Sequence, residues 1–442
     1  MKDTICAIGT LVGESSINLI RVSGNDAIDI VNNIFTANLK EKETHTITYG
    51  FIKDGEEKVD EVLVSIFKGP KSFTKEDIVE INTHGGKTSV NRIMDILLQN
   101  GCRLAEPGEF LKRAFFNGRI DLIEAESVSD MINATTEAAR KMSMKGISKE
   151  LSNKINNIRE KILSLIANIE VNIDYPEYED AVVVTCELVK KEIKELVDTS
   201  KNGLIIKNGL NIAIVGKPNV GKSSILNKLL GEEKAIVTNV KGTTRDVVEG
   251  NILINGINVY LYDTAGIRET DEIVESIGIQ KSIKKIDESD LVLFVIDSSD
   301  SFSDEDIQVL NKLNNKQVLV VYNKIDLGKN KFKELDKYDS IEISSKDGDN
   351  IELLKNRISK IFGLDDLMNS DYTYISNIRQ IGLLKESLRI INEIEKEIDN
   401  EVPVDLREIN VKLLWEKLGE ITGSVYKDEL IDEIFSKFCL GK

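Results

Sequence analysis

Residues 211–223, Asn-Ile-Ala-Ile-Val-Gly-Lys-Pro-Asn-Val-Gly-Lys-Ser, run an apolar stretch straight into a glycine-bounded turn, and very few folds accept such a segment. Gly216, Gly221, Lys222 and Ser223 stand at the G-x-x-x-x-G-K-[ST] spacing. By pattern the apolar residues before Gly216 form a buried parallel strand, and Ser-Ser-Ile-Leu-Asn-Lys-Leu-Leu after it forms a helix closed by Gly231. Amides at such a helix start hold phosphate oxygens, so Asn219, Val220, Gly221 and Ser224 join the expected loop. Lys222 is expected to reach the β- and γ-phosphates, and the Ser223 hydroxyl to bind Mg²⁺.

Three further segments follow in a fixed order. Thr238, Asn239, Val240, Lys241, Gly242, Thr243 and Thr244 form a candidate switch, in which Thr244 can close on Mg²⁺ and the γ-phosphate. Asp263-Thr264-Ala265-Gly266 ends the strand Val-Tyr-Leu-Tyr, putting a carboxylate near the metal and a glycine amide at the γ-phosphate. Asn323-Lys324-Ile325-Asp326 ends another apolar strand. There the Asp326 carboxylate can accept both N1–H and the exocyclic amine of guanine, a donor pair that adenine lacks. Ser344, Ser345 and Lys346 fit the last base-contacting loop. The site these segments imply is for GTP and GDP. In many such enzymes a glutamine after Asp-x-x-Gly orients the attacking water, but here that residue is Ile267. Arg268–Glu275 offers four carboxylates in its place, and spacing alone does not choose among them.

A chain of 442 residues has room for two to four domains. It carries no apolar run of membrane-spanning length and no signal-peptide profile, so a cytoplasmic protein off the membrane is expected. Cys6, Cys102, Cys186 and Cys439 lie far apart and make no metal-ligand pair, which suits a reducing compartment. The formal charge of −17 excludes a broad basic surface; any RNA contact rests on local patches or a more basic partner.

The expected fold is multidomain, α/β and α+β. Residues 1–118 read as an α+β domain with short strands and a helix at 87–100. Residues 119–209 turn helical, with Leu151, Ile155, Ile158, Ile162, Leu165 and Ile169 alternating steps of four and three. A Ras-like P-loop GTPase domain spans 210–365, and helices return over 366–442. Stripes are expected there at Ile381, Leu384, Leu388 and Ile391, and at Leu406, Ile409, Leu413, Leu418 and Ile421. Helices on both sides suggest a helical-bundle domain with the GTPase domain inserted into it.

Nearly end to end, the chain resembles the MnmE (TrmE) family of tRNA-modification GTPases. Beyond the nucleotide motifs, the resemblance rests on Asp3-Thr-Ile, Ile20-Arg-Val-Ser-Gly, Gly69-Pro-Lys-Ser-Phe-Thr-Lys-Glu-Asp-Ile-Val-Glu-Ile, His84-Gly-Gly and Glu106-Pro-Gly-Glu-Phe. Arg113-Ala-Phe-Phe-Asn-Gly-Arg-Ile-Asp-Leu, Ile173-Asp-Tyr-Pro-Glu and the terminal Phe438-Cys-Leu-Gly-Lys complete it. The resemblance implies a homodimer paired through N-terminal folate-binding domains. It implies 5-formyl- or 5,10-methylene-tetrahydrofolate as one-carbon donor. It also implies an FAD-containing partner, MnmG, which works with NADH and joins in a heterotetramer. The two are expected to place an aminomethyl or carboxymethylaminomethyl group on C5 of the wobble uridine of certain tRNAs.

By matching positions, Asn219, Thr238, Val240 and Thr243 become K⁺ ligands, Glu275 the water-orienting glutamate, and Arg21, Glu80, Arg119 and Lys442 folate contacts. A cation at the loop occupies the place of an arginine finger. Cys439, with Lys222, Asp263 and Glu275, completes the expected catalytic set. A prenylation signal at Cys439 is discounted because Gly441 is not aliphatic and Lys442 is not a usual terminal residue for it. Two departures bear on folate. Leu11-Val-Gly-Glu-Ser-Ser stands where the family has a Gly-rich, basic stretch, and Arg119 replaces a more common lysine. The alternative reading, a ribosome-assembly or RNA-binding switch GTPase without modification activity, normally comes with a basic KH-like module or tandem GTPase blocks. This chain has one GTPase block and an acidic-helical tail.

Overall fold

The structure is a computed structural model that describes residues 3–11, 13, 15–174, 182–231, 250–263, 284–313, 316–369, 374–438 and 441. The chain divides into two compact units. The first comprises Met1–Ile132, Met144–Ile193 and Gly382–Lys442; the second comprises Asn133–Ser143 and Lys194–Ile381. The second therefore lies between segments of the first along the chain, as an inserted domain does.

In the first unit a mostly antiparallel sheet runs in the order β3-β4-β5-β2-β1-β6. Its strands are β1 Thr4–Ile8, β2 Ile17–Ser23, β3 Thr46–Asp54, β4 Glu57–Phe67, β5 Ile78–His84 and β6 Cys102–Leu104. Alternation decides its two faces. Ile20, Val22, Ile52, Val62, Val64, Ile66, Val79 and Ile81 point into a core covered by the helices Ala27–Ile34 and Lys87–Gln99. Arg21, Ile47, Tyr49, Leu63 and Glu80 consequently lie on the other face. The helical part of this unit buries Leu151, Ile155, Ile158, Ile162, Leu165 and Ile169 along the helix Glu150–Asp174, as the seam predicts.

The stripe expected on the helix Val404–Thr422 is displaced. Leu406 and Ile409 are 52 % and 64 % exposed, while Val411, Leu414, Leu418 and Ile421 are buried. Those four fall at steps of three, four and three, and turn one face of the helix inward, whereas Leu406 and Ile409 lie on an adjoining stripe. On the helix Ile378–Asp399, Ser387, Ile390 and Ile394 are buried with Ile381, Leu384 and Ile391, and Leu388 is half-buried.

The second unit holds a sheet in the order β12-β11-β10-β7-β9-β8, from β7 Leu210–Val215, β8 Gly250–Ile254, β9 Ile257–Asp263, β10 Leu291–Asp297, β11 Val318–Asn323 and β12 Asp339–Glu342. All pairings are parallel except β8 with β9. Buried on both faces, these strands read as continuous apolar runs. The chain winds to one side of β7 and then to the other, so the crevice beyond the carboxyl ends of β7 and β10 is where an α/β sheet binds its ligand. The longer segment of the unit begins at Lys194, ahead of β7, because Ile205 and Ile206 of the helix Ser200–Asn208 belong to this core.

Candidate functional site

The loop after β7 turns into the helix Lys222–Gly231 through three left-handed residues: Gly216 at φ 158°, Asn219 at 64° and Gly221 at 100°. Asn tolerates that region better than other non-glycine residues. Gly221 is required by space as well as by angle, since a Cβ there would sit 2.2 Å from Asn323 Nδ2. Lys222 is 5 % exposed and donates from Nζ to the carbonyls of Gly216 (2.7 Å) and Lys217 (2.8 Å). Burial lowers its pKa, with the Asp263 charge acting the other way. The Ser223 hydroxyl donates to Asp263 Oδ2 at 2.8 Å. This brings together two hard oxygen donors of the type Mg²⁺ takes, so the described part of the donor set fits that ion.

On the base side, Asn323 is fully buried and acts as a bracket. Its Nδ2 donates to the Val220 carbonyl (2.7 Å), and its Oδ1 accepts from the Ser345 amide (3.0 Å). One side chain thus ties the phosphate loop to the loop after β12. The Asp326 carboxylate is exposed at the crevice and accepts from Ser344 Oγ at 2.9 Å, leaving its remaining lone pairs for a base edge. Lys324, at φ 64°, bonds Asp297 Oδ2 at 2.6 Å. Asp297 was not anticipated from the sequence. A carboxylate closing the apolar strand β10 inside a nucleotide-binding block is the signal that points to it. Ser224 and Lys346 are exposed, and Asn219 makes no side-chain hydrogen bond among the described residues. Thr238, Asn239, Val240, Lys241, Gly242, Thr243, Thr244, Thr264, Ala265, Gly266 and Glu275 lie outside the described residues, as do Cys439 and Lys442.

A second constellation occupies the first unit. Arg21 and Glu80 are directly opposed on β2 and β5, and Arg21 Nε donates to Glu80 Oε1 at 2.8 Å. The Arg21 guanidinium carbon stands 5.6 Å from the Phe110 ring centroid and 5.9 Å from that of Phe73. Arg119 stacks on the same Phe73 at 4.6 Å. Arg21 also donates to the Gly441 carbonyl at 3.3 Å, so the end of the chain returns to this sheet. Two of the four positions expected to contact folate, Arg21 and Arg119, therefore share one phenylalanine, and a third, Glu80, is tied to Arg21. Phe73, in the segment Gly69-Pro-Lys-Ser-Phe, carries no sequence signal of its own, since an aromatic residue in a loop is marked as a site only by what packs against it.

The other motif residues converge elsewhere. Arg113, 1 % exposed, donates to the Asp3 carbonyl (2.8 Å) and contacts Asp3 Oδ1 (3.0 Å), Glu76 Oε2 (3.2 Å) and Glu109 Oε1 (3.0 Å). Arg103 adds a 2.6 Å contact to Glu109. Burial pushes Glu109 up, but the Arg103 hydrogen bond, the Glu106 amide and Arg113 together hold it below the usual carboxylate range. This network fixes the helix Glu109–Phe116, which places Phe110 beneath Arg21. In the His84-Gly85-Gly86 motif, a Cβ on Gly85 would fall 1.6 Å from the Ser15 carbonyl oxygen, so only glycine fits there. His84 Nδ1 lies 2.6 Å from Asp60 Oδ1, and that hydrogen bond holds the imidazole pKa above its ordinary value.

Cys6 and Cys102, far apart in sequence, meet on the paired strands β1 and β6 as hydrogen-bonded buried thiols. That contact lowers the Cys6 pKa and raises that of Cys102. Cys186 is also buried, which pushes its thiol up to about 11. Among the described residues no group of three or more His, Cys, Asp or Glu could hold a metal ion, and no helix is long and apolar enough to cross a membrane.

The parallel sheet, its glycine-bounded loop and the Asp326 corner define a P-loop protein built for guanine nucleotides. Two family models cover nearly all of the chain, the GTP-binding protein TrmE N-terminus over residues 4–119 and the MnmE helical domain over 122–439. The chain belongs to the MnmE (TrmE) family of tRNA-modification GTPases. It is similar to the tRNA modification GTPase MnmE of Streptococcus thermophilus, 47 % identical over 100 % of this chain and 98 % of that one. The protein of the same name from Lactococcus lactis subsp. cremoris is also 47 % identical, with the same coverage of both chains. Among solved structures, Era of Aquifex aeolicus is 29 % identical over 41 % of this chain and 66 % of that one, with a TM-score of 0.28, an overlap too partial to add to the assignment.

Proposed function

We propose that this protein is a K⁺-stimulated cytoplasmic GTPase that acts as a homodimer with the FAD-containing partner MnmG. Together they install an aminomethyl or carboxymethylaminomethyl group on C5 of the tRNA wobble uridine. The coarser activity, hydrolysis of GTP to GDP and phosphate in tRNA modification, comes with membership of the family.

The observation that carries the finer reading is the coexistence of two sites in a chain related end to end to such enzymes. One is the Asp326–Ser344 corner with the Lys222 cradle; the other is the Arg21–Glu80 pair beside Phe73. Asp326 reads the guanine edge, Lys222 and the loop amides bind the phosphates, and Ser223 and Thr244 would hold Mg²⁺ with Asp263 in its outer shell, where the ion would neutralise charge on the phosphate oxygens. Asn219, with Thr238, Val240 and Thr243, holds K⁺, and Glu275 orients the water.

In the first unit Glu80, held by Arg21, accepts from the donors on a pterin edge, and Arg119 and Lys442 face the glutamyl carboxylates of tetrahydrofolate. The donor chemistry present at Arg21, Glu80 and Arg119 fits that ligand. Cys439 belongs to the same terminal segment as Gly441, whose carbonyl meets Arg21. Homodimerisation is supported by Ile47, Tyr49 and Leu63, which are 67 %, 59 % and 46 % exposed on the open face that also carries Arg21 and Glu80.

The test is GTP turnover in matched potassium and sodium buffers, with and without 5-formyl-tetrahydrofolate, alongside mass spectrometry of tRNA from a deletion strain. Turnover should be faster in potassium, and C5 modification should vanish in the deletion. Insensitivity to the cation removes the K⁺ assignment, and intact wobble uridine modification removes the tRNA function.

A further inference from the structure

In a chain with 75 acidic and 58 basic residues, unpaired cations gathered in one place require a reason. A cleft of about 470 Å³ in the first unit is lined by Lys71, Lys75 and Arg119 together with the rings of His45, Phe67 and Phe73. Among the described residues none of these three cations has a carboxylate partner; Lys75 Nζ donates only to the Gly118 carbonyl, at 3.0 Å. The acids of the same loop are turned away. Glu76 bonds Ser23 and Arg113, and Asp77 accepts from the Gly69 amide. Phe73 is the wall shared with Arg21, so the cleft continues directly from the Arg21–Glu80 pair.

We infer that this cleft binds the oligo-γ-glutamyl extension of a polyglutamylated folate, and so selects the long-tailed form of the cofactor. The inference rests on the folate reading above and adds to it Lys71 and Lys75, which that reading does not use. A γ-glutamyl chain alternates single carboxylates with short methylene runs. The cleft alternates compact ammonium charges with ring faces, so each kind of group on the tail meets its counterpart. RNA is the weaker candidate, because the net charge of −17 repels a long polyanion that an isolated cleft of three cations cannot neutralise. Exposed ion pairs contribute modestly, so Lys71 and Lys75, the two cations the monoglutamate does not use, should together favour the extended tail by about tenfold.

The experiment is calorimetric titration of the full-length protein with 5-formyl-tetrahydrofolate as monoglutamate and as triglutamate, at about 0.1 M and about 1 M salt. Wild type should bind the triglutamate about tenfold more tightly at low salt, and the advantage should shrink as the screening length falls from about 10 Å to about 3 Å. In Lys71→Gln, and more so in Lys71→Gln/Lys75→Gln, the ratio should fall towards one while monoglutamate affinity stays unchanged; Lys71→Arg should restore it. Equal affinity of wild type for the two ligands overturns this inference and leaves the folate reading standing, whereas failure of both ligands to bind overturns both. Loss of tRNA affinity in the double variant with the tail preference intact identifies an RNA contact instead and also overturns it.

Discussion

Replacing Arg113 by methionine removes the cation on which Asp3, Glu76 and Glu109 converge while keeping much of the side-chain volume. Removing one partner of a buried ion pair costs about 3–5 kcal/mol, because the abandoned charge has neither water nor a counter-ion. Here the groups left behind are partly provided for. Glu109 and Asp3 keep Arg103 at 2.6 and 2.7 Å, and Glu76 keeps the Ser23 hydroxyl at 2.9 Å. The expected loss is therefore nearer about 3 kcal/mol, a drop of about 6–12 °C in Tm for a unit of this size. Trp415 is the only tryptophan and lies in the first unit, so its fluorescence through a urea titration reports on the unit that carries the network.

The pH dependence separates an electrostatic loss from a packing loss. Glu109 has a lowered pKa in the folded protein, so its contribution is present above the unfolded carboxylate pKa and disappears as pH falls through the folded value. In the variant the Glu109 and Asp3 carboxyls, both held low by Arg113 among others, are protonated more easily and then need no cation. The gap between wild type and variant should accordingly narrow as pH falls from 7 through about 4. A gap below about 1 kcal/mol at neutral pH, or one that does not change with pH, would refute the reasoning.

Asp326→Asn should weaken GTP binding at least about 100-fold, since an amide turns a donor towards the exocyclic amine of guanine; it should bind xanthosine triphosphate, which presents an acceptor there, in preference. Fluorescent-nucleotide competition measures both, and an unchanged guanine preference removes Asp326 from the base corner. Gly221→Ala places a methyl group against Asn323 Nδ2, so GDP affinity should fall at least about tenfold in the same assay while the Trp415 unfolding midpoint stays put. His84 should titrate by NMR above a free histidine, and Asp60→Asn should bring it down. Because the folded pKa is raised, the stabilisation from this pair is complete below the unfolded histidine pKa and is lost as pH rises through the folded value. A midpoint that ignores Asp60→Asn would show the hydrogen bond to be idle.

The described parts of the nucleotide site, Gly216–Ser223, Asp263, Asn323, Asp326 and Ser344, were legible because each is local. A strand end, a left-handed glycine and a lysine six residues later act through backbone geometry that consecutive residues dictate, and the order of strands then brings the described parts to one crevice. Individual stripes were less legible. Leu406 and Ile409 match the helical period as well as Val411 and Leu414 do, and only the packing of that helix within its unit decided which stripe went inside. Cys6 and Cys102 looked unrelated until β1 paired with β6.

The sequence by itself determined the class of nucleotide, the folding type of most described segments and the family, since all three are written in short runs whose chemistry needs no distant partner. Only the tertiary structure decided which charges meet. Arg113 draws in carboxylates from three separated segments, Asn323 ties the phosphate loop to the base loop, and the acids around Phe73 face away and leave a cationic cleft. Coulomb and hydrogen-bond energies depend on separations of a few ångströms, and those separations are set by how the sheets pair and not by spacing along the chain.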